Sequence, residues 1–77
     1  MSDTKQEIKP RKYCDAEGNT YAVERSVKTG KWIVVRINSG GNRKLAKQFT
    51  PTGAQHASQR LLDEEARKCR WWEVVPL

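Results

Sequence analysis

The sequence predicts an α+β domain: an antiparallel three- to four-stranded sheet with one helix packed on one face, in the order β-β-β-α-β. Three observations predict it. Strand formers alternate with polar residues in the first fifty positions and are broken by glycine turns. A single helical segment follows, and a short run with two tryptophans closes the chain. Strands first and a helix second give a sheet with one covered face. At 77 residues and 8.9 kDa there is room for one domain. A chain this short buries only about 60–65% of its unfolded surface, which leaves no room for a deep, dry active-site cavity.

Residues 1–11 are polar and carry Lys9, Pro10 and Arg11, so they read as a flexible basic tail before a single domain over residues 12–77. Tyr13-Cys14 is a short strand candidate, followed by the turn formers Asp15 to Asn19. Thr20–Arg25 alternates and is rich in strand formers. Lys28-Thr29-Gly30-Lys31 is a turn, and Trp32–Asn38 is the next strand. Ser39-Gly40-Gly41-Asn42 is a hairpin loop leading into a strand over Lys44–Phe49. In that strand Lys47 shares the parity of Leu45 and Phe49, so it either snorkels at the edge or marks a bulge.

Helix initiation is expected near Thr50-Pro51-Thr52. Thr52 with Gln55 matches a capping box, and Thr50 as cap before Pro51 fits equally. The helix should run to Lys68 or Cys69, with Ala54, Ala57, Leu61, Leu62, Ala66 and Cys69 on one side. Glu65 falls near the middle of that side, so its site should be peripheral or supplied with a basic partner. Trp71–Val75 reads as a strand that returns to the sheet, one tryptophan inward and the other partly exposed. Core candidates are Tyr21, Val23, Ile33, Val35, Ile37, Leu45, Phe49, Leu61, Leu62, Trp71, Trp72, Val74 and Val75.

The strand around Trp32 carries the functional reading. With period two, Ile33, Val35 and Ile37 point one way, and Trp32, Val34 and Arg36 point the other. The first set is expected in the core and the second on an open, basic and aromatic face. Net charge is +6 and the isoelectric point about 9.7. From Arg25 to Lys47 there are seven basic residues and no acidic one. Such polarisation is the electrostatic footprint of a polyanion binder.

Catalytic signals are weak, so no enzyme is expected. Asp63-Glu64-Glu65 are consecutive on a helix and do not converge on a point. His56, the only histidine, has no partner at a catalytic spacing. Gly40-Gly41 is followed by a strand, not the helix that phosphate cradling needs. Cys14 and Cys69 are too few for a tetrahedral metal site, and no cofactor is implied. With no signal-like apolar run, a cytoplasmic, monomeric protein with reduced thiols is expected, a Cys14–Cys69 disulfide remaining open for an exported chain.

The run Gly30-Lys31-Trp32, the glycine turn after the alternating strand, Phe49-Thr50 and the helix with Ala54, Ala57 and Leu61 resemble a known DNA-binding domain. It is the three-strand-plus-helix domain of plant ethylene-response factors, found also as the amino-terminal arm-binding domain of tyrosine recombinases. The resemblance spans roughly Tyr21 to Lys68. It implies an outer sheet face laid into the major groove of duplex DNA and a helix bracing it from behind. Arg25, Trp32 and Arg36 would then face the groove, with Lys28, Lys31, Arg43 and Lys44 on phosphates and Lys47 beside them. A compact basic regulator of a phage or mobile element fits this picture. The rival is a protein-binding inhibitor or adaptor that docks on an acidic protein, with Trp71, Trp72 and the last strand as its anchor.

Overall fold

A computed structural model describes residues 10–75. The flexible tail expected over residues 1–11 lies, for residues 1–9, outside the described residues. Five strands and one helix follow in sequence: β1 (Lys12–Cys14), β2 (Thr20–Arg25), β3 (Trp32–Ile37), β4 (Arg43–Leu45), α1 (Gln55–Cys69) and β5 (Trp72–Val74). All pair antiparallel in one sheet of order β4-β3-β2-β1-β5. The α+β class is as expected. The sheet has five strands because β1 bridges β2 and the returning β5.

Side-chain hubs shape the turns. The Asp15 carboxylate accepts hydrogen bonds from the backbone of Glu17 and Asn19, the Asn19 amide and the Tyr21 hydroxyl. Asn38 Oδ1 accepts from the backbone of Gly40 and Asn42, closing the β3–β4 loop. Between β2 and β3, the amide of Ser26 donates to Lys31 O and that of Gly30 to Ser26 O, both at 2.8 Å. Gly30 sits there at φ +74°, a conformation that costs other residues roughly 1–2 kcal/mol.

β4 is shorter than expected. After Leu45 the Ala46 amide still donates to Val34 O at 2.9 Å, and then the Phe49 amide turns back to Ala46 O at 3.1 Å. The turn buries Ala46 and Phe49 and leaves Lys47 outside, which removes the parity conflict at Lys47. The chain then runs back along β3, where Trp32 and Thr52 exchange two backbone hydrogen bonds of 2.7 and 2.9 Å.

The helix departs from expectation at its start. Ala54 is the N-cap and makes no side-chain cap bond, so the capping box is not formed. Thr52 donates its hydroxyl to Ala54 O at 2.7 Å and lies 2.8 Å from Ser58 Oγ. Ser58 Oγ in turn lies 3.3 Å from the Trp32 carbonyl. At the other end Arg70 takes a left-handed conformation, φ 59° and ψ 43°, and its amide donates to Ala66 O. The buried stripe is Ser58, Gln59, Leu62 and Ala66 rather than Ala57, Leu61 and Cys69. Glu65 is half-buried beside that stripe and accepts the Cys69 thiol at 3.6 Å.

The helix covers the opposite face of β3 from the one expected. Leu62 packs with Tyr21, Val34, Ala46 and Phe49, and Tyr13, Val23 and Trp71 pack around them. The pairing Tyr21↔Arg36, Val23↔Val34 and Arg25↔Trp32 fixes one face for all of these residues. Trp32, Val34 and Arg36 therefore lie on the helix side. Ile33, Val35 and Ile37 lie on the open side. Both faces of β3 are apolar at their centre, so alternation alone does not choose between them. The pairing to Tyr21 and Val23 does.

Candidate functional site

The eight basic and aromatic candidates do not form one surface. Arg25, Lys28 and Lys31 cluster at the β2–β3 turn, where Arg25 Nε donates to Gly30 O at 3.2 Å. Trp32 is half-buried on the helix side, its backbone tied to Thr52. Arg36, Lys44 and Lys47 surround a cavity of about 340 Å³ at the β3–β4 edge, also on the helix side. Arg43 alone faces the open side, and there it is paired with Glu24, Nη2 to Oε2 at 3.1 Å. The outer face expected from Trp32 and Arg36 is thus not formed by them. The groove-facing set that the resemblance implied, Arg25, Trp32 and Arg36, lies on the side that the helix packs against.

The open face has a different character. Register places Lys12, Cys14, Thr20, Ala22, Glu24, Ile33, Val35, Ile37, Arg43, Leu45, Trp72 and Val74 on it. Ala22 and Val35 are buried at its centre. On the register, the line from Arg43 to Glu24 crosses β3 at Val35, so the ion pair straps the middle of the face. Exposed apolar side chains flank the strap: Leu45 is 48% exposed on β4, and Trp72 60% and Val74 42% on β5. An antiparallel sheet with one solvated face normally shows polar residues there.

The two consecutive tryptophans divide their roles. The Trp71 ring stacks on Tyr21 with centroids 4.1 Å apart and planes at 7°. Trp72, one residue on, stands on the edge strand and points to the open side, as the expected inward–outward split requires.

Asp63, half-buried on α1, is a hydrogen-bonding hub rather than a free carboxylate. It accepts hydrogen bonds from Arg11 Nη2 at 2.7 Å, from the Tyr13 hydroxyl at 2.7 Å and from Gln59 Nε2 at 3.0 Å. Gln59 also exchanges bonds with the Arg11 backbone, so Arg11, placed in the tail by composition, is fastened to the helix. Burial pushes the Asp63 carboxyl up, but the bonds from Arg11, Tyr13 and Gln59 outweigh it and hold the group below its ordinary value. Asp15 behaves alike: burial opposes, and bonds from Asn19, Tyr21 and Glu17 win. Burial, then the bond to Asp15, pushes the Tyr21 phenol up to about 12.

Both carboxylates are depressed in the folded state, so the unfolded state binds more protons in acid. Their contribution is fully present above the unfolded value of about 3.9 and is lost as pH falls through the folded values. Thermal melts should therefore hold steady from neutral pH to about pH 4 and decline below it. Asp63→Asn should melt lower at pH 7 and show a shallower acid decline. An unchanged acid limb in that variant would remove Asp63 from the account.

Cys14 and Cys69 are free thiols. Among the described residues, no cluster of His, Cys, Asp and Glu could hold a metal ion, and no helix is long and apolar enough to cross a membrane. No family model, curated protein or solved structure matches the chain.

Proposed function

We propose that this chain is a small protein-binding module, an inhibitor or adaptor, that docks on an acidic protein through the β5 end of its open sheet face. The observation that carries the reading is Trp72: a tryptophan 60% exposed on an edge strand, held outward because its neighbour Trp71 is stacked into the core. Tryptophan is enriched among the few residues that dominate binding energy at interfaces. A ring already fixed in place loses little freedom on docking. Val74 stands beside it on the same face, and among the described residues the outer edge of β5 pairs with no strand. Such an edge can receive a strand from a partner. The net charge of +6 favours an acidic partner and speeds its encounter.

Binding of duplex DNA by the outer sheet face loses its support, because neither Trp32 nor Arg36 lies there. The test uses immobilised wild-type protein and Trp72→Ser in parallel on nuclease-treated lysate. A partner that survives nuclease and is lost with Trp72→Ser, while both proteins melt at the same temperature, supports the reading. Equal capture by the two proteins, or capture that vanishes with nuclease, refutes it.

A further inference from the structure

We infer that the cavity bounded by Arg36, Lys44 and Lys47 is a binding site for phosphate groups. It lies on the helix side of the sheet and is independent of the docking face. Arg36 and Lys44 are direct cross-strand partners on one face of β3 and β4. Side chains so paired have Cβ atoms about 5 Å apart, and like charges there destabilise a sheet. The turn after Ala46 then brings a third cation, Lys47, to the same cavity of about 340 Å³. Among the described residues Leu45, Ala46 and Gln48 complete the lining, which there holds no acid.

All three cations are exposed. Elsewhere two arginines have carboxylate partners: Asp63 for Arg11 and Glu24 for Arg43. At the cavity Arg36, Lys44 and Lys47 line one opening, and among the described residues none of them makes an ion pair; the Asp15 carboxylate bonded to Tyr21, the cross-strand partner of Arg36, is taken up by Glu17, Asn19 and Tyr21. A bound anion converts that repulsion into attraction. Phosphate suits the set, because a guanidinium donates to two phosphate oxygens at once and the ammonium groups supply point charges. The cavity falls in the lower part of the usual range for small ligands, about 300–1,000 Å³, and it is open enough to take one or two phosphates of a longer chain. The ligand is a phosphodiester of a nucleic acid or the phosphate of a smaller molecule.

The test is an amide-resolved NMR titration at low salt, with pyrophosphate in one arm and a short DNA duplex in the other, alongside melting temperatures. Pyrophosphate should shift the amides of Arg36 and of residues 44–48 saturably and raise the melting temperature. Arg36→Gln with Lys44→Gln should weaken this response roughly tenfold or more while leaving the unliganded melt no lower, since two repelling charges are gone. Lys47→Gln gives a second, single-site check in the same direction. If the duplex shifts the same amides, and each substitution lowers its salt slope by about one, the source is nucleic acid. If only pyrophosphate acts, the source is a small phosphate compound. No saturable shift with either probe, or a double variant that responds like wild type, overturns the inference.

Discussion

Leu62→Ala should remove a large part of the folding free energy, roughly a third to a half of it. Leu62 has no exposed surface and is the helix residue of the buried core cluster, packed with Val34 and Tyr21 of the sheet and with Ala46 and Phe49 of the β4–α1 turn. Removing a fully buried leucine costs about 2–5 kcal/mol, because the cavity collapses only in part. At about 0.05–0.15 kcal/mol per residue, a chain of this length has roughly 4–12 kcal/mol in all. Leu61→Ala, one position along the helix but 37% exposed, should cost far less. Denaturant titration of the two variants measures the difference. Similar midpoints would contradict the assigned helix face.

The second large effect concerns the end of the chain. Truncation after Arg70 should abolish cooperative unfolding, while Trp72→Ser should leave it nearly intact. Trp71 contributes its stack on Tyr21 and covers the core beside α1, and losing such a ring costs about 3 kcal/mol. Truncation also strips β5 from β1 and so deprives a three-residue strand of one of its two neighbours. Trp71→Ala alone should reproduce most of the loss seen on truncation. Circular dichroism melts on the three proteins decide it. A truncated chain that melts like wild type would free both rings from a structural role.

The fold class was legible because local signals agreed. The turn residues Asp15, Gly30 and Gly41 and the strand-forming runs between them all point the same way, while Asn38, read as the end of a strand, instead caps the β3–β4 loop. Two features were not legible. The helix stripe reads wrongly from apolarity because two of its buried members, Ser58 and Gln59, are polar. They are accommodated by distant partners, the Trp32 carbonyl and the Arg11 backbone, that no local window contains. The face of β3 reads wrongly because it is apolar on both sides. The correct choice was implicit in the register, since the hairpin pairs Val23 with Val34, and Tyr21 and Val23 were already core candidates.

The candidate surfaces followed the same pattern. Charge polarisation along the sequence was plain, but not its three-way partition in space. Arg36 and Lys44 meet through β-pairing, whereas Arg43, adjacent in sequence to Lys44, points to the other face and is spent on Glu24. The division of labour between Trp71 and Trp72 was legible, because successive strand positions face opposite ways. The exposed apolar flanks at Leu45 and Val74 were missed, because both were counted as core by composition alone.

Arg70 fixes that division. It is the only non-glycine residue at positive φ among the described residues, and it sits where the helix hands over to β5. A single backbone reversal there sends one indole down and the next one up. Without that reversal the chain would stay helical past Arg70 and would not turn back to lay β5 against β1. One awkward arginine therefore sets the polarity of the whole carboxyl end.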